Sequence, residues 1–361
     1  MPNSEYLPEF TGLEVVEFPS REVLDTRVLR AENEAREEGR PEPDSAPVDE
    51  RLAAGKADPG AFAWRLHLMP FGVEEHFREY LERFIGEVGT TAVTALIIGD
   101  CWNPALANDD VGGVRDALIE HAAAFPALRA LFFGEVTYRD AEMSWLAQTD
   151  VSPLVAAFPG LTEFVVRGTD RMSFTGGRTF ELAWNVARHE SLRRLTFQAH
   201  RLEPAVVRGV LASELPELEH LELFPGDGAE PADLAPLLSG SVFPALRSLG
   251  LRNGANTDEL VTALVGAPVT RRLTAVDLSL GTLTDRGARA LLDAPVFGDL
   301  KRLDLHHHYM SEEMTERVRA HFTGSGVDVD VDDRQEPDED DAAYFHEWEP
   351  DENYYYRAVI E

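Results

Sequence analysis

Apolar residues recur along this chain in a repeating figure. The segments LRALFF from Leu128, LTEFVV from Leu161, LRRLTF from Leu192, LEHLEL from Leu218, LRSLGL from Leu246, LTAVDL from Leu273 and LKRLDL from Leu300 are each apolar at positions 1, 4 and 6. Side chains alternate along a strand, so the pair at 4 and 6 predicts a β-strand with one buried face. Between the later copies, PAVVRGVLASEL from Pro204, TDELVTALVGA from Thr257, TDRGARALLDA from Thr284 and SEEMTERVRAHF from Ser311 have helical apolar spacing and open on a cap residue or a proline. Acidic residues follow in the first turn of the last three, where the helix dipole favours them.

The copies start 33, 31, 26, 28, 27 and 27 residues apart, near the upper end of the leucine-rich-repeat period of roughly 20 to 29 residues. One strand and one helix cannot bury their shared apolar face alone, whereas stacked copies build a continuous core. A helix crossing between strands makes the strands parallel. The fold class expected is therefore α/β: a leucine-rich-repeat solenoid, or horseshoe, with parallel strands on the concave face and helices on the convex face.

The flanks are less regular. VTALIIG from Val93 reads as a degenerate copy, and AFAWRLHL from Ala61 with EEHFREYLERFIGEV from Glu74 as a strand and helix of a capping unit. Residues 19–60 are rich in charge, Ala and Pro without sustained apolar periodicity, which predicts a flexible loop after an N-terminal strand pair in YLPEFTGLEVVEF. VDVDVDD from Val327 reads as a last strand, 27 residues after Leu300. The division expected is a strand pair or cap over 1–18, a charged loop over 19–60, a capping unit over 61–92, the array over 93–333 and an acidic aromatic tail over 334–361, whose end, YYYRAVIE, folds back as a strand or cap on the last repeat.

Charge narrows the possible partners. Lys and Arg total 33 against 65 Asp and Glu, a formal charge of −32, so nucleic acid and anionic membrane surfaces are repelled over most of the surface. From Asp328 to Glu361 there are 14 acidic and 2 basic residues, net −12, leaving −20 elsewhere. A single cysteine, Cys101, excludes an intrachain disulfide and fits a reducing compartment. No apolar run approaches the roughly 20 residues that span a bilayer, and MPNSEYLPEF has no basic region followed by an apolar stretch, so a cytoplasmic location is expected.

The run LDLSLGTLTDRGARALL followed by LKRLDLHHHYMSEEMTERV, together with ELPELEHLEL, LAPLLSG and FPALRSLGLRN, resembles an uncharacterised family of bacterial leucine-rich-repeat proteins of the ribonuclease-inhibitor type, from AWRLHL onward. The resemblance implies an accessory role in a modification pathway. It offers no catalytic residues, and the stretch over 19–60 departs from it.

Positions 3, 5 and 7 of each repeat alternate away from the core and line the concave face. They supply Arg167, Arg194, Arg252 and Arg302, Glu222, Asp277 and Asp304, Gln198 and His306, with Phe132 and Phe224 as apolar anchors. Arg and aromatic residues carry disproportionate energy in protein recognition, so the function expected is a non-catalytic scaffold that binds a protein or peptide there and needs no cofactor. Two alternatives stay open: metal-assisted chemistry or metal binding at Asp277, Asp304 and His306, and partner binding through the acidic tail.

The triplet His306–His308 is not a three-ligand cluster, because neighbouring strand residues face opposite ways. His308 falls at position 9, where these repeats place a side chain that satisfies backbone groups in the bend, as does His200. No GxxxxGK, HExxH or GxSxG motif occurs. Cys101, with His121 as a conceivable base, is read as a packed cysteine rather than a nucleophile.

Overall fold

The computed structural model describes residues 5–41, 48–68, 75–102, 110–173, 179–293, 297–337 and 355–359. The chain is a mixed α/β structure built on one long, mostly parallel sheet. Its strands are β1 (Glu9–Phe10), β2 (Leu13–Phe18), β3 (Ala63–Leu66), β4 (Ala95–Ile98), β5 (Ala130–Phe133), β6 (Glu163–Arg167), β9 (Arg194–Gln198), β10 (His220–Leu223), β11 (Ser248–Leu251), β12 (Ala275–Asp277), β13 (Arg302–Asp304) and β14 (Asp328–Asp330), side by side in chain order. A separate hairpin, β7 (Arg171–Ser173) and β8 (Thr179–Glu181), stands between β6 and β9. Within this sheet, among the described residues, only β1 and β2 pair antiparallel, and the first and last strands do not meet, so the sheet is open.

The register follows the repeat figure. Ala130, Glu163, Arg194, His220, Ser248, Ala275 and Arg302 pair in succession across seven strands, as do Phe132, Val165, Thr196, Glu222, Gly250, Asp277 and Asp304. The last strand corrects the reading of VDVDVDD. Asp328 pairs with Arg302 and Asp330 with Asp304, which places the repeat start at Gly326 rather than Val327. Val327 and Val331 thereby enter the core and the aspartates face away, because a one-residue slip exchanges the two faces.

Helices connect the strands: α1 (Arg21–Glu37) and α2 (Glu50–Ala57) between β2 and β3, then α3 (Phe77–Val88), α4 (Val111–Glu120), α5 (Ser152–Ala157), α6 (Pro204–Ala212), α7 (Ala235–Leu238), α8 (Thr257–Leu264), α9 (Asp285–Asp293) and α10 (Glu312–Gly324). Helices α2 to α10 pack on one side of the sheet, and a single core runs between the layers from Val16 to Val331. First-turn aspartates lock successive helices. Asp258 of α8 accepts from the Thr284 and Gly287 N–H groups at the start of α9, at 2.9 and 3.1 Å. Asp285 of α9 accepts from Ser311 N–H ahead of α10 at 2.7 Å. Each carboxylate thus supplies an acceptor to donors that a helix terminus leaves unsatisfied.

The expectation of a flexible loop over 19–60 is corrected by α1 and α2. Ser20 caps α1, accepting from Val23 N–H at 3.3 Å, and Asp49 caps α2, accepting from Arg51 and Leu52 N–H. Ala, Glu, Leu and Arg are strong helix formers, and this propensity, rather than an apolar stripe, carries α1, of which only Ala35 is fully buried. On α2, Gly55 sits against the Trp64 ring, where an added Cβ would approach to 2.9 Å. Since β2 pairs in parallel with β3 and β3 with β4, the N-terminal elements continue the same sheet.

Candidate functional site

The face of the sheet opposite the helices divides at β6. Over β2 to β6 it is apolar: Val15, Ala63, Ala95, Ile97, Ala130, Phe132 and Val165 form a second, smaller core with Phe10, on which Leu7 and Leu13 pack. The N-terminal segment therefore covers this half. Phe132, an expected anchor, is 2% exposed, between the Phe10 ring and the Arg167 guanidinium, 5.0 Å from its centroid. Arg167 is itself 7% exposed and donates to Gln198 Oε1 at 2.8 Å and to the Val136 carbonyl at 2.9 Å. Burial lowers its pKa to about 10. Neither residue has free surface to offer a partner, which corrects their assignment as contact residues.

From β9 to β14 the same face is polar and half-exposed, and its charges are paired, Arg194 and Arg252 laterally across strands and Arg302 along its own strand. Arg194 lies 3.5 Å from Glu163. Arg252 is the hub: its guanidinium is 3.3 Å from both Glu222 and Asp277, donates to Ser279 Oγ at 3.1 Å, and stands 5.3 Å from the centroid of Phe224. Phe224, the second expected anchor, is thereby also 2% exposed and is corrected in the same way. His220 bonds Ser248 Oγ at 2.9 Å, and burial together with Arg194 and Arg252 pushes its pKa down to about 4, leaving a neutral ring. Arg302 is the most open of these groups, its side chain 61% exposed and 3.4 Å from Asp304.

The three residues expected to share a metal are not the three the structure unites. Asp277 turns to Arg252 and accepts from Ser279 Oγ at 2.6 Å. Among the described residues, the group able to offer three ligand atoms within 4.8 Å of one another is Asp304, His306 and Asp330. Asp330 escapes sequence reading because VDVDVDD in the 27-residue register puts valines in these columns. Within the group, His306 Nδ1 lies 2.6 Å from Asp304 Oδ1. That bond raises the His306 pKa against the effect of its partial burial. Burial pushes the Asp304 carboxyl up, but its bonds to the His306 ring and N–H outweigh this and hold it below the ordinary value.

The other two histidines separate as their positions predict. His308 is fully buried: its Nδ1 accepts from Met310 N–H at 3.1 Å, so Nε2 carries the proton and donates to the Val331 carbonyl at 3.0 Å. His307 has φ +58° and turns to the C-terminal segment, with Nε2 3.1 Å from the Tyr356 carbonyl. Tyr355–Val359 fold back, but not as a strand and not on the last repeat alone. They cross the loops that follow β9 to β13, with Arg357 donating to the His200 carbonyl and Ala358 N–H to Leu280. Of the aromatic residues of the acidic tail, Tyr344, Phe345, Trp348 and Tyr354 lie outside the described residues, while Tyr355 and Tyr356 belong to the segment just described.

Sequence reading also misses a polar cluster at the carboxyl ends of β3 to β5. Tyr6 donates to Asp140 Oδ2 at 2.7 Å, leaving its oxygen to accept from His67 Nδ1 at 3.1 Å. Asp140 further accepts from Thr137, and Arg65 forms a two-pronged pair with Glu135 at 2.6 and 2.9 Å. Asp100 is 9% exposed, and burial with the nearby Asp140 charge pushes its pKa up to about 7. These residues belong to different repeats with no shared motif, so only the fold brings them together. Cys101 is buried, its thiol donating to the Leu66 carbonyl at 3.2 Å and its pKa pushed well up by burial. His121 bonds the Ala117 carbonyl instead, at 2.9 Å.

No protein-family model matches the chain, and no curated protein matches it in sequence. Among solved structures, the crystal structure of a Bacteroides fragilis protein determined as a structural-genomics target is similar, with a TM-score of 0.66 and 24% identity over 86% of this chain and 84% of that one. At that identity the likeness concerns the fold alone. No helix among the described residues is long and apolar enough to cross a membrane.

Proposed function

We propose that the chain is a leucine-rich-repeat solenoid of the ribonuclease-inhibitor type that acts as a non-catalytic, cytoplasmic scaffold. It recognises a protein or peptide on the concave face of β9 to β14, in the role of an accessory to a modification pathway. The observation that carries this reading is the division of the helix-free face: its apolar half is covered by the chain's own N-terminal segment, while the half from β9 onward presents paired but half-exposed charge. Extended concave surfaces are the usual binding surfaces of such arrays, and laterally paired charges form a stiff pattern of alternating sign that selects register in a partner.

Arg194, Gln198, Glu222, Arg252, Asp277, Arg302 and His306 form this surface over the buried Asp304, with Arg302 and Arg194 the most accessible cations. Charge reversal tests it: Arg194→Glu with Arg302→Glu should abolish partner co-purification from native lysate while leaving the melting temperature within a degree or two. Reversal of Arg317 on α10 should change nothing. Equal retention by both variants would refute the reading.

A second reading rests on the Asp304–His306–Asp330 group. Two carboxylates and an imidazole suit a divalent transition ion, provided that His306 exchanges its bond to Asp304 for the ion. Calorimetric titration with Mn²⁺ or Zn²⁺ should then give one site, lost in Asp330→Asn; absence of heat in the wild type rejects it.

A further inference from the structure

The loops after β11, β12 and β13 repeat one backbone feature. Asn253, Leu280 and His307, each at the eighth position of its repeat, all have left-handed φ, at +57°, +66° and +58°. This conformation costs a non-glycine residue about 1 kcal/mol or more, and here it recurs at one register position in successive repeats. Asp333, at the same position after β14, shares it at +57°, so the conformation belongs to the repeat; the three inner residues all meet the segment Tyr355–Val359. Asn253 Nδ2 donates to the Val359 carbonyl at 2.8 Å while its Oδ1 accepts from the Val359 N–H at 3.0 Å. The Leu280 carbonyl accepts from Ala358 N–H at 3.0 Å. His307 Nε2 and Tyr309 Oη both reach the Tyr356 carbonyl, at 3.1 and 2.8 Å.

The contacts step from the β13 loop to the β11 loop as the segment runs from Tyr356 to Val359, with a bend at Ala358. They are almost all to the segment's main chain. Side-chain selectivity comes from two places. Val359 is 6% exposed, and the Arg357 guanidinium lies at Gly226, donating to the His200 carbonyl at 2.9 Å, with Asp227 at 3.8 Å. Gly226, with φ +60°, is held by its own backbone, since an added Cβ would come within 2.5 Å of the His200 carbonyl oxygen, and the same Cβ would also meet Arg357 Nη1 at 2.5 Å.

We infer that this loop edge is a peptide-binding site for a segment of a partner protein carrying an arginine two residues ahead of an aliphatic residue, and that Tyr355–Val359 is its resident, tethered competitor. The inference concerns a surface distinct from the charged face of β9 to β14 and stands whether or not that face binds a partner. A tethered segment acts at an effective concentration on the order of millimolar, so a free peptide of equal intrinsic affinity meets the site already filled. Opening the site requires release of the resident segment.

The test uses the full-length protein and a fluorescein-labelled peptide of sequence YYYRAVIE as the probe. Fluorescence anisotropy should show at least tenfold tighter binding to the double variant Arg357→Ala, Val359→Asp, whose own segment is released, than to the wild type. Adding Asn253→Ala, or Tyr309→Phe should the former fail to fold by circular dichroism, should remove that gain, and a scrambled peptide should not bind. Equal affinity of the wild type and the released variant, or a gain that survives both site substitutions, would overturn the inference. A wild-type dimer at micromolar concentration that the peptide dissociates would also overturn it, by making a second copy the occupant.

Discussion

His306 Nδ1 lies 2.6 Å from Asp304 Oδ1, two residues back on the same strand end. The imidazole pKa is raised by this bond, so the folded state holds its proton more tightly than the unfolded chain does. A raised folded pKa contributes stability that is complete below the unfolded value of about 6.5 and is lost as pH rises through the folded value. Asp304 is held below its ordinary 3.8 and is therefore ionised throughout this window. His306→Gln should lower the melting temperature at pH 5.5 and leave it nearly unchanged at pH 9, as thermal melts at the two pH values would show.

Arg252 neutralises two carboxylates at once, Glu222 and Asp277, each 3.3 Å away. Its replacement by alanine leaves the Glu222 carboxylate, already disfavoured by burial, without its cation, and uncovers Phe224. A loss of about 2–3 kcal/mol is expected, between the small value of an exposed pair and that of a buried one. Arg252→Lys should recover less than half of it, because a single ammonium cannot replace a planar fork that serves two carboxylates, Ser279 and a ring. Urea denaturation of the two variants checks the order.

Asp100 behaves in the opposite sense to a stabilising carboxylate. Its pKa is pushed up from 3.8 to about 7 by burial and by Asp140, so its charged form destabilises the fold as pH rises from about 4 to 7. Asp100→Asn, neutral at every pH, should therefore exceed the wild type in stability by about 2–4 kcal/mol at pH 8 and match it near pH 4. Chemical denaturation at both pH values measures this directly, and a wild type that is more stable at pH 8 contradicts it.

The strand register is legible in the sequence because positions 1, 4 and 6 are bound to the core by geometry, and a solvent-facing leucine at any of them would have broken the figure. Exposure on the other face is not legible by the same rule. Phe132, Phe224 and Arg167 occupy outward columns yet are buried, because Phe10 and Arg252 come from elsewhere in the chain to cover the two rings. Helix α1 is hidden for a different reason: it is held by capping and propensity and sends little into the core, so it leaves no apolar period to read. Asp330 is missed by one residue of register. The cluster of Tyr6, His67, Asp100 and Asp140 joins residues up to 134 positions apart, which no local motif records.

Site-specific photocrosslinking decides whether the half-exposed face of β9 to β14 is the recognition surface. A benzophenone side chain at Ala275, midway along this face and paired with Ser248 and Arg302, should yield a discrete crosslinked partner in cells of the source organism. The same group at Arg317 on the helical side should yield none. Crosslinks of equal yield from both positions, or none from Ala275 and a partner from Arg317, would exclude this face as the recognition surface.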